Sequence, residues 1–170
     1  MKQNLPVAIF TFLLLFACSF EISGQRRPSP SPTPSTSGPK AEIATAAGAA
    51  AEQAKRLNRF VFILGGIADA IEKVDEERRQ GKASSSAIEQ NDRNKEAVMQ
   101  SIRNLRTGIV SLEVDFRSKD SLRPHSSMIS GITQMMGTAE DQVGEGKVKD
   151  AGRTLLAISE KLIDTLAMLP

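Results

Sequence analysis

The 170 residues are enough for one domain of modest core once the N-terminal segment is set apart. Seven Phe with no Trp and no Tyr argue against a large sheet and against sugar binding by stacked aromatic rings. The net charge of +2 comes from Lys2, Arg26 and Arg27 against Glu21, leaving 19 basic and 19 acidic residues from Lys40 onward. A neutral, mixed-sign domain offers no electrostatic footprint for phosphate backbones, so nucleic acid is not an expected partner.

In chain order, Lys2 precedes an apolar stretch from Val7 to Ala17. Eleven residues are too few to span a bilayer as a helix, which takes about 20. The layout is that of a secretory signal, expected over residues 1–17. It closes on Leu14-Leu15-Phe16-Ala17-Cys18, where Cys18 is the only cysteine. This run resembles the lipobox of bacterial lipoproteins: aliphatic residues, a variable position, a small residue, then the cysteine that is lipidated and becomes the new N-terminus. The resemblance covers residues 1–18 and implies lipid attachment at Cys18 in the cell envelope. Ser19 in place of Asp favours an outer membrane. Two or more acyl chains make a lasting anchor where one holds weakly. Cleavage after Ser19 or after Gly24 by the ordinary signal peptidase is the alternative, and would give a secreted or soluble periplasmic domain. Either way the domain carries no thiol and no disulfide.

Residues 18–39 hold five of the eight prolines, alternating with Ser and Thr between Pro28 and Pro39. Each proline removes a donor and drives its predecessor extended, so a disordered linker is expected. At about 3.1 Å per residue the proline tract spans about 35 Å.

From residue 40 the periodicity is helical. A spacing of four then three joins Ile43, Ala47, Ala50, Ala54, Leu57, Val61, Leu64, Ala68 and Ile71, and predicts a helix over about 41–80 that stops at Gly81. Ser86-Ala87-Ile88-Glu89 reads as a capping box opening a second helix over about 86–118, striped by Val98, Ile102, Leu105, Ile109, Leu112 and Phe116. A third helix, about 122–143, carries Ile129, Ile132, Met136, Ala139 and Val143. A fourth, about 147–169, carries Val148, Ala151, Leu155, Ile158, Leu162, Leu166 and Leu169. Short connections predict an all-α, antiparallel up-down-up-down four-helix bundle. The first two helices are the longer pair, so their hairpin should project bare beyond the other two.

The projecting end is polar: 13 of the 25 residues from Glu72 to Glu96 are charged. Asp75 continues the first stripe, while Asn91 and Lys95 fall in core register of the second. This tip, with Glu76, Arg78, Arg79, Asp92 and Arg93, is one candidate partner surface; the ordinary alternative is a solvated charge run. Phe62 is the other candidate, because at 100° per residue it points away from the stripe of Val61 and Leu64 and suits self-association. Gly65 and Gly66 beside it kink the helix or admit a close neighbour. His125 with Met128, Met135 and Met136 raises copper or haem ligation, but Met at helical spacing is ordinarily core filling. The sole His has no nameable base or acid partner, so no catalytic residue, metal or cofactor is assigned. The expected function is a non-enzymatic, membrane-tethered binding or scaffolding module acting on an envelope protein or on itself. The alternative is a carrier of an apolar molecule or haem, which should contain a cavity of several hundred Å³.

Overall fold

The computed structural model describes residues 38–170, and the signal, Cys18 and the proline tract lie outside them. Five α-helices and one 3₁₀ turn follow in order: α1 Pro39–Arg79, α2 Ser85–Ser118, the turn Arg123–His125, α3 Ser126–Ile129, α4 Ile132–Gly144 and α5 Val148–Met168. Among the described residues there is no strand, and the fold is all-helical and bundle-like.

Helix α1 opens on Pro39, whose fixed φ and missing N–H suit the first helical position. Its last turn closes when the N–H groups of Lys82 and Ala83 both reach the Glu77 carbonyl, at 2.8 and 3.2 Å. Ser84 follows in an extended conformation, and its hydroxyl accepts the Ala87 N–H at 3.2 Å. Ser84 is therefore the cap, in place of the expected Ser86. Glu89 is exposed and faces Arg93 at 3.9 Å, so the capping box of the sequence reading does not form.

The expected third helix is also corrected, because it is broken at Ser130-Gly131. Gly131 takes φ +84°, a left-handed conformation that a side chain would disfavour. Neighbouring helices satisfy the groups freed by the break. The Lys161 ammonium donates to the Ser130 carbonyl at 2.7 Å, and the Glu113 carboxylate accepts the N–H groups of Gly131 and Thr133 at 3.1 and 3.2 Å.

Packing follows α1 against α2, α2 against α4, α4 against α5 and α5 against α1. Cross-helix bonds give each seam its direction. Asn91 meets Asp75 while Ser121 meets Glu42; Arg103 meets Glu140 while Glu113 meets Thr133. Thr154 meets Gln142 while Lys161 meets Ser130; the Lys149 amide meets Glu72 while Ser159 meets Ala54. In each pair of contacts one residue number rises as the other falls, so neighbouring helices run antiparallel.

The core is the stripe that periodicity predicts, with shifts at its ends and partial exposure at Val61 and Leu105 within it. Leu57, Leu64, Ile71, Ile102, Ile109, Phe116, Ile129, Ile132, Met136, Leu155, Ile158 and Leu162 are buried. Ala46 takes the place expected of Ala47, and Leu105, Leu166 and Leu169 are only partly covered. Leu122, Ser159 and Thr165 are buried without having been expected. The Ser159 hydroxyl reaches the Ala54 carbonyl at 3.4 Å, an approach that the small buried Ala50 and Ala54 permit.

The bare part of the α1–α2 hairpin is shorter than expected. The α4–α5 turn climbs as far as Asp75, whose carboxylate occupies the space a Cβ on Gly146 would need. Gly146 also holds φ +78°, so two separate requirements select glycine there. The extra length of α1 lies partly at its other end, where Glu42 accepts the Ser121 hydroxyl beside the end of α2. The α4–α5 turn even shares a groove with Arg79 in the last turn of α1.

Candidate functional site

The buried floor under the hairpin tip comes first, because it sets the register of everything above it. Asp75 of α1 is 8% exposed and Asn91 of α2 only 3%. The Asn91 amide donates to Asp75 at 2.8 Å and to the Ile71 carbonyl at 3.3 Å. The Lys95 ammonium donates to both Asp75 oxygens, at 3.0 and 3.3 Å, and lies 3.5 Å from Asp92. All three residues were placed in core register by sequence, and the structure joins them. Each buried polar group finds a partner, which removes the desolvation penalty that an orphaned group would carry.

Above this floor the tip charges pair among themselves. Arg78 reaches across the hairpin to Asp92 at 3.2 Å. Arg79 and Gln80 donate to Glu76 at 2.7 and 2.6 Å, and those bonds hold the exposed Glu76 carboxyl below the usual carboxylate range. Arg93 bonds Gln90 at 3.0 Å. The charged side chains among them are each half or more exposed, so the pairs are solvent-screened and weak. A partner could exchange them at low energetic cost.

Phe62 is placed elsewhere. It is 85% exposed, and Ile63 beside it is 42% exposed. Sixteen residues of helix separate Phe62 from Arg78, about 24 Å at 1.5 Å per residue. The two candidate surfaces are therefore distinct, and the structure does not bring them together.

Two carboxylates matter that sequence reasoning did not single out. Helices α4 and α5 have no side-chain cap of their own, and α2 and α1 supply one to each. Glu113 of α2 is 5% exposed, pairs with Arg117 and holds the first amides of α4. Burial alone would raise its pKa. The Thr133 hydroxyl, the amides of Gly131 and Thr133, and Arg117 outweigh burial and hold the carboxyl below its ordinary value. Glu72 of α1 accepts the Lys149 amide of α5 at 2.9 Å. The Asp69 carboxylate, and with it Glu72, keeps the Lys149 ammonium protonated to higher pH than usual. A negative group at a helix start also complements the helix dipole. The signal for Glu113 was available: a carboxylate lying between the core positions Leu112 and Phe116.

Two open grooves border these caps. One, of about 400 Å³, runs between Glu72, Arg79, Lys147, Lys149, Asp150 and Arg153. The other, of about 570 Å³, is lined by Arg106, Val110, Val114, Arg117, Gly131 and Thr133. Both carry charged rims. Met136 is fully buried in the core, whereas His125 and Met128 are half-buried near the turn before α3. Among the described residues no three His, Cys, Asp or Glu side chains gather as a metal site would require. Cys18 lies outside the described residues.

No protein-family model matches the chain, and neither a curated protein nor a solved structure is significantly similar to it.

Proposed function

We propose that the protein is a cell-envelope lipoprotein, held by lipid on Cys18, whose Pro/Ser segment carries a non-catalytic helical scaffold. The carrying observation is in the sequence: a lipobox-like run ends in the only cysteine, and a proline-rich tract separates it from a helix beginning at Pro39. In this reading Cys18 supplies the attachment, since no helix among the described residues is long and apolar enough to cross a membrane. The domain is read as an up-down-up-down four-helix bundle with its polar tip directed away from the membrane. Docking uses side chains that the fold leaves exchangeable: the screened tip charges Glu76, Arg78, Arg79, Asp92 and Arg93, and the exposed Phe62. Carriage of an apolar ligand has less support, because both grooves are open and charged at the rim rather than enclosed and apolar.

Metabolic labelling with a radioactive fatty acid in a bacterial host tests the anchor. Label should enter the protein and the protein should sediment with membranes, and Cys18→Ala should lose both. Label that persists in Cys18→Ala would sink the reading.

A further inference from the structure

The charged groups left without a partner are few, and they gather beside exposed apolar side chains. Among the described residues Arg106 is the one arginine with neither a hydrogen bond nor an ion pair, and Asp141, Glu160 and Asp164 are the carboxylates with neither. Arg106 is half-buried and lines the groove of about 570 Å³ between α2 and α4, together with the exposed Val110 and Val114. The one acid of that groove, Glu113, is already taken by Arg117 and the first amides of α4. Glu160 and Asp164 stand on the outer face of α5 with the exposed Leu156 and Ile163. A free cation among apolar side chains is thus matched elsewhere by free carboxylates among apolar side chains.

The two places lie on opposite sides of the bundle. The seams run from α1 to α2, α4, α5 and back to α1, so the α2–α4 groove is across from α5 and α1. Leu156 follows by one turn Gly152, where Leu64 of α1 packs. They also lie at one height. Arg106 is midway between Asn91 and Ser121, whose partners Asp75 and Glu42 set it level with about residue 58 of α1. Lys149 against Glu72 and Ser159 against Ala54 set about residues 155–162 of α5 at that same level. Both α2 and α5 run antiparallel to α1, and so parallel to each other.

We propose that the α2–α4 groove of one copy takes the outer face of α5 of a second copy, the two bundles standing side by side at equal height. Arg106 then faces Glu160, with Asp164 one turn further along, and Val110 meets Ile163. The two surfaces differ and lie on opposite sides, so the contact is heterologous and repeats as an open row rather than closing as a pair. A contact of a few turns is at the small end of protein interfaces, so each junction is weak and strengthens with local concentration. The row uses neither Cys18, nor the tip charges, nor Phe62.

Its test is disulfide crosslinking of the full chain in a Cys18→Ala background, so that only introduced thiols react and the outcome is independent of the anchor. Gln134→Cys, at the groove, and Asp164→Cys, on α5, are placed in one chain and leave Arg106 and Glu160 intact. The α2–α4 contacts set position 134 level with Val110, and so with position 164 of the neighbouring copy. Within one copy the two thiols face opposite sides, beyond disulfide reach. On oxidation at high protein concentration the double-cysteine chain should give a ladder of dimers, trimers and longer species, several-fold above either single-cysteine chain. Adding Arg106→Glu should reduce the ladder several-fold, and adding Glu160→Arg to that chain should restore it, with circular dichroism checking that helicity is kept. A single-cysteine chain that dimerises as fast, a ladder indifferent to Arg106→Glu, a loss that Glu160→Arg does not restore, or no ladder at all would each overturn the row.

Discussion

Two ion pairs join α1 to α2 within a turn of each other, one buried and one exposed. Lys95–Asp75 closes at 3.0 Å with side chains 14% and 10% exposed, and Arg78–Asp92 closes at 3.2 Å with side chains 51% and 50% exposed. The inner pair shares its carboxylate with Asn91 and packs beside Gly146 of the α4–α5 turn. The outer pair faces water and can be exchanged. The contrast teaches where this hairpin keeps its register and where its charges stay screened by water.

Breaking the inner pair is the largest expected effect. Asp75→Ala leaves Lys95 and Asn91 without their carboxylate in a poorly solvated place, and should cost about 3 kcal/mol in a urea titration. Replacing Asp75, Asn91 and Lys95 together with leucine should recover most of that loss, because no charge is then left unpaired. If the single variant were as stable as the parent, burial would not be what distinguishes the two pairs.

Glu113 extends the comparison to the far end of α2, and the expected effect is smaller. Glu113→Ala removes two charged bonds to the first amides of α4 and should cost about 2 kcal/mol. Its pH signature has a definite sign. The folded pKa lies below the unfolded value near 4.5, so the contribution is complete above that value. It fades as pH falls through the folded pKa. Unfolding curves collected downward from pH 5 should show this loss in the parent and a flatter profile in Glu113→Gln.

The outer pair should give the least. Arg78→Ala and Asp92→Ala are each expected to change stability by under about 0.5 kcal/mol, less still in high salt. In the proposed reading the same changes weaken partner capture in the native envelope, so stability and binding should separate at these residues.

Much of this was legible from spacing. The stripe that placed Leu57, Leu64 and Ile71 inside also placed Asp75 there, because a heptad continues regardless of residue chemistry. Asn91 and Lys95 followed from the same register. Phe62 was legible as an outward residue because, at 100° per residue, it points roughly opposite the stripe. What spacing could not give depends on several chains of contact at once. The cap passed from Ser86 to Ser84 because Ser84 is the extended residue whose hydroxyl reaches the Ala87 N–H, after the α1 turn has closed on the Glu77 carbonyl. The break at Ser130-Gly131 and the role of Glu113 require each other, and neither has a periodic signature. The short bare tip reflects an offset of α1 against α5 that helix lengths do not encode.

The comparison is tested most directly by double-mutant cycles on the two pairs, with stabilities from urea unfolding of the purified protein. Asp75 with Lys95 should show a coupling energy above about 1 kcal/mol, and Arg78 with Asp92 a coupling near zero. Equal couplings at the two sites would contradict the claim that the floor holds the hairpin while the tip remains free to bind.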